Sequence, residues 1–236
     1  TAPVRQLVML FSVNDPPRLL VTPAEVQELI FGNGPVAQFY RANSESRLAL
    51  TGDVKGWFKI TPQEAQSINV VNYDEIKKIF AKFNIDYRPY DVISFLFQED
   101  PSNFIGRATI GKPVFENKNV GFIWMGLLPD RWQHSSDLNY AWTWLEHILA
   151  HEFGHTLGLY HANWESCPPN TQFSKECRNY EYGNRFDVMG SGVFANNLNA
   201  AYRTRLGWAP DPIQITRSGH YSIRALGLPN PTSAVF

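Results

Sequence analysis

Three histidines and one glutamate carry the chemistry this sequence can do, in the run His151-Glu152-Phe153-Gly154-His155-Thr156-Leu157-Gly158-Leu159-Tyr160-His161. On an α-helix, residues i and i+4 share a face one turn apart, so His151 and His155 can direct their rings at one point and hold a metal there. Glu152 would then reach the water on that metal rather than the metal itself, which is where a general base belongs. Two ligands are too few, because a catalytic zinc site typically has three protein ligands and leaves the fourth position to water. His161 supplies the third. A continuing helix would carry it around the axis, so the chain must turn, and Gly158 is the residue best able to take the left-handed geometry that stops a helix.

An isolated H-E-x-x-H is a modest signal, since a helical histidine is more often a surface or satisfied core residue. The extended form fixes five positions, one of them a glycine with a geometric reason. It resembles the metzincin zinc peptidases, whose pattern H-E-x-x-H-x-x-G-x-x-H is followed by a methionine-containing turn. Phe186-Asp187-Val188-Met189-Gly190 matches that turn. The resemblance implies one catalytic Zn2+ on His151, His155 and His161, Glu152 as general base and then acid, and Met189 as an apolar floor beneath the histidines. It also implies an extended polypeptide substrate added to an edge strand, here Arg107 to Ile110.

The order of strand, Thr-Pro-Ala-Glu helix, Phe-Gly-Asn-Gly, Phe-Tyr-Arg and Leu-Thr-Gly-Asp-Val-Lys-Gly-Trp-Phe, with Asp-Val-Met-Gly and Leu-Gly-Trp later, is similar to the gametolysin-type branch from about Leu7 to Trp208. Only the zinc motif and the Met-turn are specific. Members of that branch can carry Gln in place of the first histidine, whereas this chain has His151. Astacin and serralysin relatives place a tyrosine two residues after the methionine; Ser191 stands there instead, so that tyrosine's role is not carried over. Two other classes compete: an inactive, zinc-stabilised relative that binds protein or glycan, and a metal hydrolase acting on a non-peptide amide. The retained Glu152 argues against the first, because a structural site is more naturally closed by four protein ligands.

The elements that must position these residues are legible upstream. Val4 to Val13 reads as a buried strand stopped by Asn14-Asp15-Pro16-Pro17. Thr22, Pro23 and Glu25 make a capping box at a helix start, with Gly32 as stop, and the same chemistry recurs at Thr61-Pro62-Gln63-Glu64. A second helix starts near Pro35. Arg47 to Ile60 reads as a strand or a hairpin interrupted by glycines, and Tyr73 to Phe83 as an amphipathic helix. Val92 to Phe97 is a continuous apolar run, as a central strand covered on both faces requires. Ile105 to Ile110 and Val120 to Leu128 are two further strands.

A helix from about Leu138 to Leu157, capped by Asp137, then carries the metal motif. His147, one turn before His151, is read as a lining or surface residue, and His134 and His220 have no partner pattern. Ala162 to Asn184 is an irregular loop, and a last helix spans Leu198 to Leu206 with Asn196 or Asn197 as cap and Gly207 as stop. The expected architecture is α/β (α+β) and metzincin-like: a twisted mixed sheet with a backing helix and the active-site helix, above a small irregular C-terminal subdomain. The catalytic domain is expected at 1–209, its upper part about 1–158 and its lower part about 159–209. Residues 210–236 are expected to be a β-like extension, the root of a further domain that has been removed.

With 236 residues, 44% hydrophobic and 18% charged, the chain can bury a sizeable core. A formal charge of -1 gives no reason to expect nucleic acid or an anionic membrane as partner. No apolar run approaches the roughly 20 residues that span a bilayer. The absence of a signal segment ahead of Thr1 is what a processed or trimmed chain would show. Cys167 and Cys177 are either free thiols or a short-loop disulfide, the latter expected of an exported zinc peptidase, and hence of a secreted, extracellular protein. Calcium sites can be imagined among the Asp-rich and Asn-rich loops, but no ligand spacing identifies one.

Overall fold

The computed structural model describes residues 3–13, 21–98, 105–127, 138–171, 174–192 and 197–222. The expected turn at Asn14–Pro17, the Asp137 cap, His134, Leu128, Asn196 and residues 223–236 lie outside that set. The chain divides into two compact units, one of Ala2–Gln38 and Leu50–Tyr160, the other of Phe39–Ala49 and His161–Phe236.

In chain order the first unit holds β1 (Val4–Ser12), α1 (Pro23–Ile30), β2 (Leu50–Lys59), α3 (Pro62–Asn69), α4 (Tyr73–Lys82), β3 (Val92–Phe97), β4 (Gly106–Ala108), the small hairpin β5 (Val114–Phe115) and β6 (Lys118–Asn119), β7 (Gly121–Gly126) and α5 (Leu138–Thr156). Helix α2 (Pro35–Asn43) runs from this unit into the other. Strand order is β2-β1-β3-β7-β4. The first four are mutually parallel and β4 runs antiparallel to β7 at the edge, which makes a mixed sheet.

Alternation along the strands decides which helix covers which face. Leu7, Met9, Phe11, Ile93, Phe95, Phe97, Phe122 and Trp124 form one apolar layer with Ala65 and Ile68 of α3 and Ile76, Ile79 and Phe80 of α4. The opposite face receives α5, which contacts β4 and β7. β3 is buried at every residue, as its unbroken apolar run requires. Both capping boxes form: the Thr22 and Thr61 hydroxyl oxygens accept the backbone N–H of Glu25 and Glu64, whose carboxylates accept the threonine N–H in return. Each such cap stabilises its helix by about 1 kcal/mol.

One expectation is resolved by an edge. Within Arg47 to Ile60 one strand forms, Leu50–Lys59, which pairs along its length with β1 and makes no hairpin. The Gln27 side chain of α1 donates to Gly52 O at 3.2 Å and accepts from Val54 N at 3.1 Å, standing in for a further strand.

In the second unit, β8 (Trp164–Ser166) and β9 (Arg178–Tyr180) form an antiparallel pair. Cys167 and Cys177, the residues flanking it on the loop side, are joined in a disulfide. Helix α6 (Ala200–Arg205) is capped by Asn199, not by the expected Asn196 or Asn197, with its side-chain oxygen accepting Tyr202 N at 2.9 Å. Residues 39–49 belong here through long-range contacts: Leu198 N donates to Asn43 Oδ1 at 2.8 Å, Arg203 pairs with Glu45 at 3.0 Å, and Arg47 donates to Gly207 O at 2.7 Å. No helix among the described residues is long and apolar enough to cross a membrane.

Candidate metal centre

Helix α5 carries His151 and His155 on one face, their ring centroids 4.8 Å apart, both rings buried. The helix ends where the sequence demanded. Gly158 takes φ +90°, a conformation that side-chain-bearing residues rarely adopt, while Gly158 N donates to His155 O and Leu159 N to Gly154 O. The turn also fixes a ring: His155 Nδ1 lies 2.7 Å from the Leu159 carbonyl oxygen, which can only accept, so Nδ1 carries the proton and Nε2 keeps its lone pair.

His161 is held by its own unit. Its Nδ1 lies 2.5 Å from Glu181 Oε1, its ring centroid is 3.7 Å from that of Tyr182 with the planes tilted by 32°, and its carbonyl accepts the Tyr202 hydroxyl at 2.9 Å. A carboxylate on Nδ1 again leaves Nε2 as the available donor and raises its basicity. Along the continuous segment 151–161, one ligand atom from each of His151, His155 and His161 lies within 4.8 Å of the other two. Three imidazoles, two of them with Nδ1 already engaged, are a donor set that suits Zn2+.

Glu152 is 5% exposed, and its Oε2 is buried with no hydrogen-bond partner. Burial pushes its carboxyl up to about 8. A buried orphan oxygen of this kind needs a partner that the described residues do not supply, and a water beside a metal on the neighbouring histidines would be one. The side chain is also tightly bounded. A β-carbon on Gly106 of β4 would stand 2.7 Å from Glu152 Oε1 and 2.8 Å from Ile148 Cγ2, so the edge strand approaches α5 this closely only because residue 106 is glycine.

His147 is buried and outside the grouped histidines, its ring 6.1 Å from that of His151. Burial holds its imidazole down at about 4. His220 is exposed. Met189 is wholly buried in a turn ordered by Asp187, whose carboxylate accepts Met189 N at 2.7 Å and Asn199 N at 2.6 Å. Burial raises the Asp187 carboxyl, and those two N–H donors pull it back. Sequence reasoning missed Gly106, Glu181 and Tyr182. None belongs to a spaced motif: Gly106 matters by what it lacks, and Glu181 and Tyr182 reach His161 from across a loop.

The sequence matches no family model and no curated protein. The structure is similar to that of an archaemetzincin from Methanopyrus kandleri, with 14% identity and a TM-score of 0.45 over 86% of this chain and 94% of that one. It is also similar to a zinc-dependent peptidase from Methanocorpusculum labreanum, with 14% identity and a TM-score of 0.40 over 84% and 99% of the two chains. A chain of a chaperone-substrate complex matches with 15% identity and a TM-score of 0.44, over 85% of this chain and 29% of that one. What this chain does is therefore read from its own residues.

Proposed function

We propose that the protein is a zinc-dependent endopeptidase of the metzincin kind, closest to the gametolysin-type branch, secreted, and acting on extended polypeptides. The observation that carries the reading is Glu152: a buried carboxyl group with an oxygen that no described residue partners, next in sequence to the first of three grouped histidines. His151, His155 and His161 would hold one zinc ion, with Met189 as the apolar floor and β4 as the edge along which substrate is laid. Zinc, when bound, would lower the pKa of a water on it towards ~7 and polarise the peptide carbonyl.

Glu152 does the proton work. In the metal-free chain burial holds this carboxyl up at about 8, and a cation on the neighbouring histidines would favour its ionised form, the form that accepts a proton from water. The same group returns the proton to the departing amine, so one residue serves as base and then acid. Gly106 leaves the carboxylate its room on the β4 side, and Glu181 on Nδ1 leaves Nε2 of His161 for a metal.

Incubation with casein or gelatin, with and without a chelator, tests the activity. Chelator-sensitive hydrolysis that disappears in Glu152→Ala while zinc content stays at one per chain is the expected result. Hydrolysis by Glu152→Ala would remove the base assignment, and a zinc-loaded wild type that cleaves no protein would return the chain to the binding-module class.

A further inference from the structure

Large aromatic side chains gather on the exposed surface of the second unit: Trp164 is 55% exposed, Tyr180 50%, Tyr182 41% and Phe186 81%. A monomeric protein rarely leaves such a patch in water without a use. These four rings line one cavity of about 540 Å³, together with Glu181 and Arg185. The size lies within the range of pockets that take small ligands or side chains, about 300–1,000 Å³.

The cavity has a built frame. Trp164 and Tyr180 are directly paired across β8 and β9, which puts their side chains on the same face of the hairpin. The Cys167–Cys177 disulfide closes the loop at the end of that pair. Tyr182 is pinned by Asn163 Oδ1 on its N–H at 3.2 Å and by Ser191 N on its carbonyl at 2.8 Å.

Two wall residues also support His161: Glu181 on Nδ1 and Tyr182 against the ring face. Whatever fills the cavity lies one side chain away from that imidazole. The chemistry of the walls selects the occupant. The Glu181 carboxylate is shared with His161 and its charge is offset by Arg185, so the lining offers no net negative charge to a lysine or arginine. Four aromatic rings offer edges and faces that pair best with another ring, and rigid aromatic walls lose little freedom on contact.

We propose that this cavity binds an aromatic side chain of the polypeptide substrate and so makes the enzyme prefer cleavage sites flanked by Phe, Tyr or Trp. The proposal rests on the peptidase reading and adds the substrate class. Trp164 and Phe186 set specificity and take no part in the metal site.

The test is cleavage-site mapping on a denatured protein mixture with the zinc-loaded full chain, alongside Trp164→Ala and Phe186→Ser. Aromatic residues should recur at one fixed position relative to the cut. For a peptide bearing Phe there, Trp164→Ala should raise KM by ~10-fold with kcat little changed, since one ring pair is worth up to about a tenfold in affinity. Cleavage without aromatic preference, or a preference that survives both substitutions, overturns the proposal and leaves the peptidase reading intact. A second measurement does not depend on turnover. Zinc-loaded Glu152→Ala should bind the Phe peptide ~10-fold more tightly by calorimetry than its Ala counterpart, and the difference should vanish on adding Trp164→Ala. Equal binding of the two peptides, or binding governed by an attached glycan instead, overturns aromatic recognition. A wild type that cleaves nothing while this difference is present sinks the peptidase reading alone.

Discussion

Gly106 and Glu152 are packed so closely that a β-carbon on the first would stand 2.7 Å from Oε1 of the second. The atom displaced by such a carbon is the end of a flexible side chain, so Gly106→Ala should move the carboxylate before it harms the fold. Zinc content should stay at one per chain, and kcat should fall by roughly 10²-fold, the usual cost of misplacing a catalytic group by about an ångström. Activity equal to wild type would mean that Glu152 does not depend on β4 for its position.

Removing the proton acceptor outright should cost more. Glu152→Gln keeps the volume and loses the base, so hydrolysis should drop by ~10²–10⁴-fold, the range typical of general acid–base catalysis. Zinc content, measured by elemental analysis, should be unchanged.

The support on His161 should show in metal affinity. Glu181→Gln keeps a hydrogen-bond acceptor but removes the charge on Nδ1, and loss of such a partner typically weakens a site by ~10–100-fold. His161→Ala should weaken it further. Chelator competition separates the two, and an unchanged affinity in His161→Ala would put the third ligand elsewhere.

Two buried groups set opposite pH slopes in the metal-free protein. The Glu152 carboxyl sits at about 8 when folded against an ordinary 4.5, so the folded state binds the extra proton and stability falls as pH rises through that window. His147 sits at about 4 against an ordinary 6.5, so the unfolded state binds the extra proton and stability falls as pH drops through 6.5 towards 4. The two slopes offset each other between 4.5 and 6.5, so urea midpoints of chelated wild type should fall only from pH 6.5 to 8, a fall lost in Glu152→Gln, whereas His147→Gln should uncover a fall that already begins near 4.5. A wild-type midpoint flat from pH 6.5 to 8 would contradict the Glu152 burial, and a His147→Gln midpoint flat from 4.5 to 6.5 would contradict that of His147.

The disulfide closes a short loop, with ten residues of separation. Replacing both cysteines by serine should cost about 3 kcal/mol of stability to the second unit on the loop-entropy account. Because β9 leads directly into Glu181 and Tyr182, the same variant should also bind zinc more weakly.

Local chemistry was readable in the sequence wherever a short pattern contains its own cause. The two capping boxes, the apolar run of β3 and the glycine stop at Gly158 all follow from residues a few positions apart, whereas the edge position of β4 came only from the resemblance. What could not be read is contact between distant segments. Gly106 has no side chain to announce a role, Gln27 completes the edge of β2 from a helix, and Glu181 meets His161 twenty residues on. The sequence placed the last helix's cap at Asn196 or Asn197 because several asparagines crowd there; Asn199 wins because Asp187 Oδ2 accepts its backbone N–H at 2.6 Å.

The second unit is sewn from two stretches of chain, and that imposes a waiting time on its assembly. Asn43 meets Leu198, and Glu45 meets Arg203, across separations of 155 and 158 residues. A ribosome adding about 5–20 residues per second needs on the order of 8–30 s to make the later halves. During that interval the newborn segment at 39–49 has left the exit tunnel with its partners still unmade, so this unit can close only late in synthesis, and a fragment beginning at His161 would lack part of its own interior.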